Sequence, residues 1–322
     1  MKRALVTGGL GFIGSNLVHA LERRGVRVTV LDNLDAQCGG NRRNLEGMPT
    51  EFLDLHEADL RDADAVRRAV TGQDWIFHCA ARTSHAGSMT APFEDVAVNC
   101  VGTLTLLEAM REHAPEAKLV HVGTSTQIGR SSAGVIAEDH VEFPVDIYSA
   151  NKTASEKYVL VYASAYGLRT TVVRLANNFG PRANIRSPAF GFANFFVGLA
   201  LQGKEITVFG DGAQLRTMTY VADSVEALCV AAENDASCSQ VWFAVADEQV
   251  SVRDLAVAIS SEIGGSVRFV PWPAERKAIE VGDSVISNAK LKAGLGWQPR
   301  TSLREGLRAT RSYFIEHLAS YL

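Results

Sequence analysis

The chain has 322 residues, 47% of them hydrophobic, and its 32 basic against 36 acidic side chains give a formal net charge of -4. That balance supplies no basic surface for nucleic acid, while the hydrophobic fraction is ample for a large buried core divided into two lobes. Five cysteines without C-x-x-C spacing argue against a disulfide framework or a zinc site, and no apolar run approaches transmembrane length, so a cytoplasmic protein with no metal, membrane or nucleic-acid partner is expected.

Ala4-Leu-Val-Thr7 reads as a buried strand entered within a few residues of the start, which leaves no room for a signal peptide. Gly8-Gly-Leu-Gly-Phe-Ile-Gly14 follows, and a helix with Phe12, Ile13, Leu17, Val18 and Leu21 on one face runs on to Gly25. Gly8, Gly11 and Gly14 let the chain reverse tightly, approach a pyrophosphate and pack close to the sheet, with the first helical amides of Phe12 and Ile13 toward the anion. A second strand, Val26 to Leu31, ends at Asp32, where a carboxylate bonds a ribose diol and repels a 2'-phosphate. NAD is therefore expected rather than NADP, although Arg42 and Arg43 lie further along the loop.

Strands and helices then alternate: strand Glu51 to His56, helix Ala63 to Val70, strand Trp75 to Cys79, a long helix Val96 to His113, strand Lys118 to Val122, and strand Thr170 to Leu175. This rhythm predicts a doubly wound parallel α/β sheet, a Rossmann domain over residues 1–175. Glycines and prolines then separate shorter elements, and a smaller nucleotide-sugar lobe is expected over 176–322, interleaved with the first through a strand near 240–246.

Tyr148 and Lys152 lie four apart on one predicted helix, so phenol and ammonium are neighbours. A cation there favours the phenolate and is expected to draw the tyrosine toward working pH as a general base. Thr124, with Ser125 and Thr126, sits at the carboxyl end of a strand, where ligands bind in such sheets. His78, His85 and His121 repeat no ligand spacing and read as packing or loop residues.

With these residues in this order, the chain resembles the extended short-chain dehydrogenase/reductase family in its NAD-dependent epimerase/dehydratase branch, and is most similar to nucleotide-sugar epimerases of the UDP-glucose 4-epimerase kind. Thr7 to Gly14 looks like that family's T-G-x-x-G-F-I-G loop, Asp32-Asn33 its ribose pair, Asp59-Leu60 its adenine-side pair, Phe77-His-Cys-Ala80-Ala81 its H-x-A-A strand end, and Asn99 its helix asparagine. Arg174 to Arg182 resembles R-x-x-N-x-Y-G-P, which assigns Asn177 to the substrate phosphates, and Val208 to Arg216 resembles the segment that holds the base. Ser88 is expected to border the sugar, and Arg276 to be a second phosphate contact. The resemblance further implies that Thr124 aligns a sugar hydroxyl, Tyr148 removes its proton as hydride passes to NAD, and Lys152 binds the nicotinamide ribose. A homodimer built on residues 96–113 and 149–166 also follows from the resemblance.

Dehydratases and decarboxylases of this family carry an acid two positions after the threonine, where this chain has Thr126. Elimination is thereby disfavoured, and a UDP-hexose 4-epimerase of the glucose/galactose or glucuronate type is expected. Ile128, Thr217 and Ser287 depart from the family's tyrosine and aspartates, which puts substrate contacts in question more than chemistry. Arg182 and Arg186 could bind a C6 carboxylate or be surface charges, and Gly191 to Phe196 looks like the substrate helix of CDP-sugar 2-epimerases, which keeps oxidation at C2 open. A reductase or dehydratase with the same triad, or a catalytically retired sensor, is the further alternative.

Overall fold

Runs of Val, Ile and Leu short enough for strands and buried on both faces give a parallel sheet, because only helices on each side can cover it. In the computed structural model, which describes residues 1–35, 38–130, 134–274, 277 and 282–322, the strands are β1 (Arg3–Thr7), β2 (Arg27–Asp32), β3 (Leu53–Glu57), β4 (Trp75–His78), β5 (Lys118–Thr124), β6 (Arg169–Leu175), β7 (Asn177–Phe179), β8 (Glu205–Phe209), β9 (Leu215–Tyr220), β10 (Val241–Ala244), β11 (Gln249–Ser251) and β12 (Ser266–Val270). Seven of them form one sheet in the order β10-β6-β5-β4-β1-β2-β3. Every neighbouring pair in it is parallel. The order reverses at β1, between β2 and β4, and this opens a crevice at the carboxyl ends of the strands.

The helices, in chain order, are α1 (Phe12–Arg23), α2 (Ala63–Val70), α3 (His85–Thr90), α4 (Pro92–Val96), α5 (Gly102–His113), α6 (Ile147–Tyr166), α7 (Phe192–Leu201), α8 (Val221–Glu233) and α9 (Val252–Glu262), followed by helices Ala289–Leu295 and Leu303–His317. On one face of the sheet, Leu17, Val18 and Leu21 of α1 pack with Val225 and Leu228 of α8. On the other, Val66, Leu106, Leu107, Met110 and Val159 bring α2, α5 and α6 together. Each of these fully buried aliphatic side chains contributes about 2 kcal/mol by leaving water. The helix expected from Val96 to His113 is helical throughout and continuous with α4, but it widens on the way: α4 runs into a π turn over Ala97–Val101, and α5 starts at Gly102. The wider turn swings Asn99 inward, where it bonds Asp95 and the Arg82 backbone.

Beyond β6 a second core forms from Phe196, Val197, Ile206, Val208, Leu255, Ile259, Leu307 and Phe314. Two small sheets, β11-β9-β7 and β12-β8, belong to this part, while β10 pairs with β6 in the main sheet. No helix among the described residues is long and apolar enough to cross a membrane.

Candidate active site

The glycine turn is built as its spacing requires. Gly8 has φ +69°, and a Cβ on it would lie 2.7 Å from the Ala80 backbone at the end of β4; a Cβ on Gly14 would lie 2.2 Å from the Gly8 carbonyl oxygen. Only glycine permits this approach, and it leaves the first turn of α1 capped by no side chain, with Gly11 at its N-cap. Asp32 ends β2, and its two oxygens accept from Leu10 N (2.9 Å) and Leu34 N (2.8 Å). Burial raises the Asp32 carboxyl, and those two N–H donors oppose the rise. Asn33 donates to Asp59 at 2.9 Å. Hydrogen bonds from Arg61 hold the Asp59 carboxyl well below its usual range against its partial burial. Leu60 is buried beside Gly102, and Ala80 N donates to Thr7 Oγ1 at 3.2 Å, leaving Ala80 and Ala81 along the crevice. An uncapped helix start, a turn no larger residue could make and a fixed carboxylate at the end of β2 together fit a dinucleotide.

The chemical groups converge from β5 and α6. Thr124 ends β5, and its hydroxyl bonds the hydroxyl of Thr126 at 3.0 Å; Ser149 Oγ donates to the same Thr126 oxygen at 3.0 Å. Thr124 also favours the ionised form of the Tyr148 phenol, and Thr124, Thr126 and Ser149 form one hydroxyl network beside it. Asp146 caps α6, accepting from Ser149 N at 2.8 Å, and thereby fixes the turn that carries Tyr148. Ser88 Oγ accepts from Tyr148 N at 3.0 Å and donates to His85 O at 2.8 Å. Its hydroxyl therefore ties α3 to α6.

Lys152 departs from the expected arrangement. Its Nζ donates to Val122 O at 2.8 Å and meets His121 Nε2 at 3.2 Å, so the ammonium is anchored on β5. Burial lowers Lys152 to about 8, with Glu156 the strongest opposing charge. Burial also raises the Tyr148 phenol above its ordinary value, the influence of Thr124 only partly opposing it. The expected depression of Tyr148 by Lys152 is thus reversed here, because desolvation outweighs a cation that is bonded elsewhere. Behind Lys152, burial and then the lysine's charge push His78 down to about 3 and His121 well below its ordinary value. Both rings are accordingly neutral, and His121 Nε2 accepts from the ammonium.

On the second lobe, Asn177 of β7 pairs in register with Met218 of β9, two residues beyond Arg216, and its amide donates to Thr217 O at 3.4 Å. Arg216 Nη1 donates to Gly282 O at 2.6 Å. Val208 is buried in β8, below a loop whose Gly210 (φ +66°) leaves 2.3 Å between a built Cβ and the Trp272 indole nitrogen. Arg276 lies outside the described residues. Arg182 bonds Asn16 Oδ1 (3.1 Å) and Asn44 O (3.3 Å) and stacks on Tyr313, while Arg186 bonds Leu322 O at 3.3 Å. Both arginines are thus engaged with α1, the segment after β2 or the C-terminal segment.

One pair was not legible as functional. His85 Nδ1 lies 2.7 Å from Asp146 Oδ2, and the His85 ring meets the Tyr148 ring edge-on at 5.0 Å. The spacing of 61 residues between His85 and Asp146 carried no local signal; only the placement of Asp146 two residues before Tyr148 could have drawn attention to it.

A doubly wound sheet with a glycine turn under an uncapped helix, and a Thr-Tyr-Lys group at the same crevice, defines a dinucleotide-dependent enzyme of the short-chain dehydrogenase/reductase type. Residues 4–242 match the NAD dependent epimerase/dehydratase family, and the chain belongs to it and uses NAD. It is 34% identical to UDP-glucose 4-epimerase of Mycolicibacterium smegmatis over 97% of this chain and 98% of that one. It is also 31% identical to UDP-N-acetyl-alpha-D-glucosaminuronate decarboxylase of Bacillus cytotoxicus, over 98% of each. The structure of Thermus thermophilus UDP-glucose 4-epimerase complexed with NAD superposes with a TM-score of 0.86 at 33% identity, covering 97% of this chain and 99% of that one. The family therefore acts on nucleotide sugars, and its members differ in reaction.

Proposed function

We propose that the protein is a UDP-hexose 4-epimerase that works through a transient 4-keto sugar. The observation that carries this reading is the network around Thr124: hydroxyls at Thr126 and Ser149 occupy the ground where elimination or decarboxylation would need a carboxylate. Thr124 aligns the C4 hydroxyl and Tyr148 takes its proton. Held in the crevice by the Gly8–Gly14 turn and Asp32, NAD would supply the hydride acceptor and donor for C4. The keto sugar turns over between the two transfers, so Tyr148 and Thr124 meet the carbonyl oxygen from the second face and the phenol gives its proton back. Ionising Tyr148 needs a cation in contact with it, and Lys152, one turn along α6, supplies it by leaving Val122 O. Asn177 and Arg216, on the paired strands β7 and β9, are assigned to the diphosphate, and Val208 to the base. The engagement of Arg182 and Arg186 elsewhere favours a neutral hexose over a uronate.

Incubation with a panel of UDP-, CDP- and GDP-sugars, followed by NMR of the products, tests this. UDP-glucose is expected to equilibrate with its C4 epimer, and Tyr148→Phe to lower turnover by about 10² to 10⁴. Inversion at C2 of a CDP-sugar, loss of water or loss of CO₂ would overturn the branch, and undiminished turnover in Tyr148→Phe the mechanism. The same reading extends to a cytoplasmic homodimer, supported by exposed Val101, Val161 and Tyr166 on the proposed contact helices; a monomeric mass in solution would overturn it.

A further inference from the structure

Residues 313–322 reach back to the dinucleotide turn. Tyr313 lies on the helix Leu303–His317, whose Leu307 and Phe314 belong to the second core, and Tyr321 follows after the short 3₁₀ turn Leu318–Ser320. The two phenol oxygens meet at 2.6 Å, and the buried Tyr321 hydroxyl donates to Asn44 Oδ1 in the segment after β2. Because Tyr321 has one proton and Asn44 takes it, Tyr313 is the donor between the phenols. Asn44 is itself buried, and its Nδ2 donates to Leu10 O at 2.8 Å; Leu10 N in turn donates to Asp32 Oδ2 at 2.9 Å. A single line of donors therefore runs from the second lobe, through Tyr313, Tyr321, Asn44 and Leu10, to the carboxylate at the end of β2. Asn41 supports it in parallel: its N–H donates to Leu10 O at 3.0 Å, and its side-chain amide to Ser320 O at 3.3 Å.

We propose that Tyr321 is a positioning residue of the dinucleotide site, which aims Asp32 at the adenosine ribose by way of Asn44 and Leu10. The inference rests on the NAD site alone and not on the sugar reaction. A side-chain amide presents an acceptor on one side and donors on the other, so a hydroxyl that donates to Asn44 Oδ1 dictates that the NH₂ faces Leu10 O. Leu10 stands between Gly9 and Gly11, in a turn with many backbone conformations open to it. The bonds on its carbonyl select the one that points Leu10 N at Asp32. That N–H is one of two donors keeping the Asp32 carboxyl ionised against its burial. Deleting the Tyr321 hydroxyl leaves Asn44 Oδ1 buried without its donor. The amide then loses its fixed orientation, Leu10 N drifts from Asp32, and the bond from Asp32 to the ribose 2'-hydroxyl weakens first.

The test is a competition that reads this ribose contact by itself. Wild type, Tyr321→Phe, Asn44→Ala and the double variant are each equilibrated with an equimolar mixture of NAD and its analogue lacking the adenosine 2'-hydroxyl. The ratio of the two dinucleotides held by the protein is read by mass spectrometry. Wild type is expected to favour NAD by about 10- to 100-fold, the range for hydrogen bonds to a charged group. Tyr321→Phe should cut that preference about tenfold, and Asn44→Ala by a similar factor. The double variant should lose no more than either single one, because both interrupt the same line of donors. A merely structural role for Tyr321 would lower stability in urea and weaken both dinucleotides equally, leaving the ratio unmoved. That result, or a double variant whose loss is the product of the two single losses, overturns the proposal. A wild type that does not distinguish the two dinucleotides overturns it as well, since Asp32 would then not read the ribose. No arm uses a sugar substrate, so each of these failures leaves the epimerase reading standing, and failure of that reading leaves this proposal untouched.

Discussion

Lys152→Met separates the stability cost of this lysine from its chemistry. Lys152 is 4% exposed, and burial brings it from the ordinary value of 10.5 to about 8. At about 1.4 kcal/mol per tenfold, keeping it charged in the folded chain costs about 3 kcal/mol at neutral pH. Methionine fills similar volume without charge but gives up the bond to Val122 O, worth about 1 kcal/mol, so the cofactor-free variant should be about 2 kcal/mol more stable at pH 7. Below pH 8 the lysine is charged in both folded and unfolded chains, and the cost is carried in full. Between pH 8 and 10.5 the folded chain has lost the proton and the unfolded chain keeps it, so wild-type stability rises relative to the variant, by about 1 kcal/mol at pH 9. Urea denaturation of both proteins at pH 7 and pH 9 measures the gap, and taking the difference cancels the thiols and phenols that titrate in the same range. Turnover should be lost at both pH values. A variant no more stable than wild type at pH 7, with a gap that does not narrow by pH 9, would refute the claim that Lys152 is a desolvated cation.

Gly14→Ala places a methyl 2.2 Å from the Gly8 carbonyl, so the turn must open, and the Kd for NAD measured by calorimetry should rise more than about tenfold, a loss of about 1.4 kcal/mol; a Kd within twofold of wild type would show that the turn does not hold the dinucleotide. Glu156 accepts two bonds from buried Arg174, at 2.8 and 2.7 Å. Removing its charge in Glu156→Gln should cost about 3 kcal/mol in urea denaturation, and a loss below about 1 kcal/mol would mean that Glu142 alone compensates Arg174.

What the sequence reveals of this site divides by range. The parallel sheet was legible because its strands are short apolar runs, and the glycine turn because steric demands at Gly8 and Gly14 are local. Spacing likewise placed Tyr148 and Lys152 on one helix. It could not show the π turn at Ala97–Val101, since Val98 and Val101 continue the apolar pattern through it, nor the histidine and carboxylate beside Tyr148, which arrive from elements 61 residues apart.

Lys152 shows why local spacing misleads about electrostatics. Four residues along a helix bring two side chains within reach, but a lysine this long has a choice of partners, and the fold offers Val122 O and His121 on β5, 30 and 31 residues away. A carbonyl oxygen and a neutral imidazole that are already in place win over a buried phenol, which is itself neutral and gives an ammonium little in return. The phenol then keeps its proton, because burial opposes its charge and the cation one turn along its helix is turned away. Ionising Tyr148 and moving Lys152 are therefore one coupled event. Anything that tightens the Lys152 anchor on β5 should slow proton removal, even where it leaves Tyr148 and Thr124 untouched.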